Sequence, residues 1–164
     1  MMGFYFGYNY MGDIMDEGML WLGLFLVAFL WWDKKRLKKI GNIGERIVRD
    51  RLNELPDNFI VLNNVRYWFK KCQIDHMVIC NDVKLIFVIE TKMWGNDKVY
   101  GDPVKQNEYH CRVVRNKFKG YRVINVVTFV GSIPYKFRAY KCVVNENELI
   151  DMVNRVYNRY IIEV

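Results

Sequence analysis

Asp75, Glu90 and Lys92 are the side chains of this sequence whose types and spacing could do chemistry. They interrupt two apolar, strand-like runs at 73–80 and 84–91 that meet at a tight turn over 81–84. Each run alternates yet is apolar on both faces, the pattern of a sheet covered on both sides. A two-residue turn on Asp82 and Val83 pairs Asn81 with Lys84 and, counting outward, Asp75 with Glu90. The two carboxylates then face each other with Cβ atoms about 5 Å apart. Lys92, two residues beyond Glu90, points the same way. Two facing carboxylates repel and destabilise a hairpin unless a cation lies between them. A hard divalent ion, which takes a few carboxylates and keeps its waters, resolves that conflict. The pattern is one for metal and phosphate chemistry; its bland alternative is a half-buried polar network in which Lys92 pairs with either acid. His76, adjacent in sequence, is turned by the alternation away from Asp75.

The elements that must position these groups follow from the rest of the chain. A helix is expected from Gly41 to about Leu55, with Ile43, Ile47, Val48, Leu52 and Leu55 as its apolar stripe. Pro56 and Asp57 end it. Asn42 and Glu45 match an Asn variant of the capping box, which is the structural alternative to any role for Glu45 in chemistry. Phe59–Tyr67 reads as a strand and is followed by the central hairpin. An aromatic and basic run at 67–71 reads as edge packing or a membrane-facing patch, or as a surface that stacks on bases. The glycine-bounded stretch 95–101 reads as a loop or small flap. Pro103 suits the first turn of a helix reaching about Phe118, in which Gln106, Tyr109 and His110 share a face. Arg122–Val130 is a buried, β-branched strand, 140–144 a short one, and 146–160 an amphipathic helix. The order α-β-β-β-α-β-β-α indicates one α/β domain over 41–164 around a mixed sheet.

Charge is distributed unevenly. The first 33 residues hold no Lys or Arg and four acids, so all 25 basic residues lie in 34–164 with the remaining 14 acids, leaving +11 there. A domain this basic suits a polyanion, either nucleic acid or an anionic membrane surface. The four cysteines show no metal-finger spacing and are expected as reduced thiols of a cytosolic domain. Residues 1–17, an N-terminal extramembrane segment, mix aromatics, glycines and acids without a pattern. The uncharged run at 18–32 is apolar all round and, with Trp31 and Trp32 followed by the basic linker 34–40, predicts a transmembrane helix over 18–33. Helical, the run spans about 22 Å against a hydrocarbon core of about 30 Å, a mismatch that bilayer thinning would have to absorb. The positive charge after it places the N-terminus outside and 34–164 in the cytoplasm, at the cell membrane.

Four motifs, Gly41-x-x-Gly44-Glu45, Gln73-Ile74-Asp75-His76, Glu90-Thr91-Lys92 and the later Gln106, occur in this order over about 41–118. Together they resemble the nuclease-related domain (NERD) family of the PD-(D/E)XK nuclease superfamily. The resemblance implies a restriction-endonuclease-like αβββαβ core, in agreement with the element order above. It implies a metal-dependent nuclease that hydrolyses phosphodiester bonds of DNA, with Mg²⁺ or Mn²⁺ as cofactor and a metal-bound water as nucleophile. By the same resemblance Asp75 and Glu90 are the carboxylate ligands, helped by the Thr91 carbonyl, and Glu45 approaches the metal from the first helix. Lys92 orients the water or stabilises charge on the phosphate, and Gln106 contacts substrate or orders the site. Ile74 stands where the superfamily's eponymous proline is found. Lys105, Arg112, Arg115 and Lys117, on the helix after Pro103, can supply phosphate contacts that bind without reading sequence. The alternative function is a non-catalytic module that binds nucleic acid or a partner while tethered at the membrane.

Overall fold

The computed structural model describes residues 8–67, 72–93 and 101–162, with side chains from residue 19 onward. Most of the expected flap at 95–101 and of the aromatic run at 67–71 lies outside the described residues. The chain divides into two units, Met1–Lys39 and Ile40–Val164.

In the first unit the chain is helical, as part of α1 (Tyr8–Leu52). Its apolar side chains from Met19 to Trp32 are exposed, Trp21 and Phe25 each by 69%. Lys35 Nζ lies 3.6 Å from the centroid of the Trp31 ring. Among the described residues no helix is long and apolar enough to cross a membrane, so the transmembrane helix expected over 18–33 is not found. The physical reason lies in the sequence: acids at 16 and 17 and charges from Asp33 onward bound the uncharged run. What remains is about 22 Å of helix, too short for a hydrocarbon core of about 30 Å.

The second unit begins with the last turns of α1. Because the helix is already running at Gly41, Asn42 and Glu45 lie in its interior, and the capping box, the structural alternative for Glu45, does not form. A cap needs a residue outside helical geometry, and Asn42 has helix on both sides. After α1 come β1 (Phe59–Tyr67), β2 (Cys72–Cys80), β3 (Leu85–Met93), α2 (Pro103–Lys117), β4 (Arg122–Val130), β5 (Val143–Asn145) and α3 (Leu149–Ile162). The five strands form one sheet in the order β1-β2-β3-β4-β5. The first two pairings are antiparallel and the last two parallel, so the sheet is mixed. Parallel β3 and β4 need a crossover, which α2 supplies.

Helices cover both faces of this sheet, as the doubly apolar strands require. Val48 and Leu52 of α1 and Leu149, Met152 and Val153 of α3 pack with Val78, Phe87, Ile89 and Val126. Cys111, Val113 and Val114 of α2 pack with Ile79, Ile86, Val88 and Val123 on the other side. The start of α2 is fixed by Asp102, whose carboxylate accepts from the N–H groups of Val104 and Lys105, with Pro103 in the first position. Such a cap contributes about 1 kcal/mol.

Gly44 lets α1 approach β3. A Cβ built on it would lie 2.8 Å from the Cβ of Met93. Neither atom can swing aside, so the cost of overpacking, about 1–3 kcal/mol, is expected at its upper end. That exceeds the gain of about 1 kcal/mol in helix propensity from Gly to Ala. Gly44→Ala is therefore expected to lower stability by about 1–2 kcal/mol in urea denaturation. Gly41→Ala, whose Cβ meets nothing within 4 Å, is expected to hold or raise it.

Candidate active site

The β2–β3 hairpin has the register read from the sequence. Pairing runs from Cys80↔Leu85 to His76↔Ile89, which puts Asp75 and Glu90 next in line at the point where the ladder stops. Here the N–H of Thr91 donates to Asp75 Oδ2 at 2.9 Å, a side chain taking the place of a strand carbonyl. On the other side of β2 the ladder to β1 steps from Asn63↔His76 to Val65↔Ile74. Asn64, between them, takes φ 53°, a left-handed conformation that Asn tolerates better than most residues. An irregular residue of this kind twists a strand locally and re-aims its neighbour's side chain. Asp75 is thus freed from regular pairing on both sides.

Glu90 is 2% exposed and is gripped from two directions. Lys92 Nζ donates to its Oε1 at 2.6 Å and also lies 3.4 Å from Gln106 Oε1. His110 of α2 holds Nδ1 3.5 Å from Oε2. At that separation neither atom completes a hydrogen bond, and neither has another hydrogen-bond partner among the described residues. Burial alone would raise the Glu90 carboxyl, but the His110 imidazole and the Lys92 ammonium outweigh it and hold it below its ordinary value. Asp75 goes the other way. Burial first, and then the charge of Glu90, push its carboxyl up to about 7 against the opposing Thr91 N–H. Glu45 is also raised, by burial and by Glu90, with Lys92 opposing. The pair therefore holds a proton near neutrality that a cation could replace.

Asp75, Glu90, Thr91, Lys92 and Gln106 are brought together here, and Glu45 lies within reach of their field. Among the described residues no group of three or more His, Cys, Asp or Glu side chains is placed to hold a metal ion. The donor set that would take one is the Asp75–Glu90 pair, with Oε2 of Glu90 buried and lacking a hydrogen-bond donor. Lys105 lies 4.0 Å from Asp102, Arg115 reaches the carbonyl of Val123, Lys117 sits over the Tyr67 ring, and Arg112 is exposed.

Residues 40–130, more than half of the chain, match the model of the nuclease-related domain family. The chain belongs to that family, NERD. The family is part of the PD-(D/E)XK-like nuclease superfamily. No curated protein and no solved structure matches the chain. The NERD match contains every residue of the carboxylate cluster and ends with the last residue of β4.

Two residues of the NERD region contribute more than their sequence context suggests. His110 closes over Glu90; the sequence signal was its i+4 relation to Gln106. Tyr109, on the same stripe, is 44% exposed. Asn107 is fully buried, and its amide nitrogen lies 2.8 Å from the carbonyls of Val88 and Val126 and 2.7 Å from Asn125 Oδ1. It ties α2 to both parallel strands directly behind the site. The clue was a lone polar residue in the apolar stripe Val104, Cys111, Val114. Asn107→Leu leaves buried carbonyls unpaired, so a stability loss of about 2–3 kcal/mol is expected in chemical denaturation.

Proposed function

We propose that this protein is a metal-dependent nuclease that hydrolyses phosphodiester bonds of DNA. The observation that carries the reading is the pairing of half-buried Asp75 with buried Glu90, and of Lys92 with Glu90, inside the NERD region. Asp75 and Glu90, with the Thr91 carbonyl, would hold Mg²⁺ or Mn²⁺, and Glu45 would add charge from α1. Two carboxylates suffice for Mg²⁺, which keeps several waters and takes one or two protein carboxylates beside substrate phosphate. Such an ion, when bound, supplies Lewis acidity and neutralises charge that builds on the phosphate. Lys92 offers a donor and a point charge beside Glu90 for the same developing charge. Gln106, within reach of Lys92, orders its ammonium or contacts substrate. His110 faces Glu90 Oε2 from α2, and Asp75, whose carboxyl is raised in the metal-free site, would give up its proton to the ion.

The test is incubation of the purified protein with linear DNA, circular DNA and RNA in Mg²⁺, Mn²⁺ or EDTA. Cleavage of DNA that EDTA abolishes is expected. The second reading is a non-catalytic nucleic-acid-binding module, for which the charge of +11 over 34–164 would suffice. Salt-sensitive binding without cleavage in either metal would establish that reading instead.

The exposed apolar run from Met19 to Trp32 and the basic residues after it support a peripheral seat on the cytoplasmic face of the cell membrane. Flotation of the full chain with anionic vesicles is expected. A chain that stays behind in the gradient overturns this placement.

A further inference from the structure

A concave feature lies beside Glu45. A cleft of about 400 Å³ opens between α1, β1 and β2, and Arg46, Arg49 and Arg66 line it together with Glu45, Asn63 and His76. Arg46 and Arg49 are one helical turn apart, where like charges repel, and Arg66 adds a third from β1. Arg49 lies 3.6 Å from Asp50. Among the described residues Arg46 and Arg66 make no ion pair. Among the described residues that line the cleft, Glu45 is the one acid. In the cleft wall His76 is 1% exposed and its Nδ1 lies 2.6 Å from Asn63 Oδ1. His76 Nε2 is buried without a hydrogen-bond partner among the described residues. Positive charge thus converges in a concave, polar place with too little negative charge to balance it. Guanidinium forks match phosphate oxygens two at a time, which ammonium groups do not.

We propose that Arg46, Arg49 and Arg66 form a phosphate-binding cleft for a nucleic-acid strand, next to the carboxylate site and joined to it through Glu45. The proposal rests on the nuclease reading for the identity of the strand. The strand leaves the Asp75–Glu90 pair past Glu45, and a phosphate flanking the cleaved one lodges among the three arginines. This gives the enzyme a grip that lies on α1 and β1 rather than on the basic residues of α2.

The test is binding by the full-length chain, in EDTA so that nothing is cut. Fluorescence anisotropy of a short single-stranded DNA would be followed over a range of salt. The double variant Arg46→Ala/Arg66→Ala alters two exposed side chains, and its fold is checked by its melting curve. The control, Lys119→Ala/Lys141→Ala, removes the same charge from exposed positions away from the cleft. The arginine variant is expected to bind about tenfold more weakly, and to lower the slope of log Kobs against log salt by about 1.4, at about 0.7 per phosphate contact. The lysine control is expected to change both much less. Equal losses in the two variants, or none in the first, overturn the proposal. Comparing 5′-phosphorylated with 5′-hydroxyl strands separates the two sources of the phosphate. A loss seen only with the former marks an end group, and a loss seen with both marks an internal phosphodiester. If the parent cuts DNA but the arginines are irrelevant to binding, the cleft fails alone. If the arginines matter but no metal supports cleavage, the nuclease reading fails and the cleft stands.

Discussion

Lys92→Met is expected to lower the rate of DNA cleavage by about 10²–10³-fold, the usual cost of losing a donor aimed at developing charge. Methionine keeps the length and apolar stem of lysine and removes only the ammonium. The ammonium stands 2.6 Å from Glu90 Oε1 and within 3.4 Å of Gln106, so it is held rather than free to wander. Its loss acts on Glu90 as well. Lys92 is among the groups that hold the Glu90 carboxyl down, and without it burial dominates and the carboxyl rises. The metal-free variant should then melt lower than the parent, because a buried acid has lost its cation. Saturating Mg²⁺ should restore most of that difference if the ion binds between the carboxylates. DNA binding in EDTA should stay within a few-fold of the parent, since one ammonium contributes little to a polyelectrolyte contact. Cleavage unchanged by Lys92→Met would mean a contaminating nuclease or a site elsewhere on the protein. Binding and cleavage lost together, with a collapsed melt, would mean that the residue is structural.

The readable part of this chain is the part governed by short-range geometry. The facing of Asp75 and Glu90 followed from counting outward from the 81–84 turn, and the hairpin pairs in that register. The start of α2 followed from Pro103, whose fixed φ suits the first turn of a helix, and the structure adds a side-chain cap from Asp102 at the same turn. What was hidden depends on long-range docking or on competition between local signals. Periodicity put Gln106, Tyr109 and His110 on one stripe, but the side on which α2 meets the sheet decides that His110 closes on Glu90 while Tyr109 faces solvent. Asn42 and Glu45 carry a cap signature that loses to a helix already running from Tyr8. The left-handed turn at Asn64, which frees Asp75, has no sequence mark beyond the Asn itself. The arginine cleft joins residues far apart in sequence, so only the folded chain brings Arg46 and Arg49 to Arg66.

Asp75→Asn is expected to stabilise the metal-free protein above neutral pH while abolishing cleavage. In the folded chain the Asp75 carboxyl is raised from 3.8 to about 7, chiefly by burial and then by Glu90. A raised carboxyl favours the protonated, folded form. Its contribution to stability is fully present below the unfolded value and is lost as pH rises through the folded one. In EDTA the parent should therefore lose about 2–4 kcal/mol between about pH 4 and pH 8 from this group, which is a shift of several degrees or more in Tm. Glu90, held below its ordinary value, works in the opposite sense and in a more acid window: its contribution is present above the unfolded value and is lost as pH falls through the folded one. Asparagine is uncharged and near in shape to the protonated acid, and its carbonyl can still accept from the Thr91 N–H. Thermal melts of Asp75→Asn in EDTA should then be flat where the parent's slope downward, and should lie above the parent at about pH 8. Mg²⁺ should raise the parent's Tm at that pH and leave the variant's nearly unchanged, because one of the two facing carboxylates is gone. A parent whose Tm in EDTA does not fall over this range, or a variant that melts below it at high pH, would show that Asp75 is not held in the strained ionisation on which the metal reading depends.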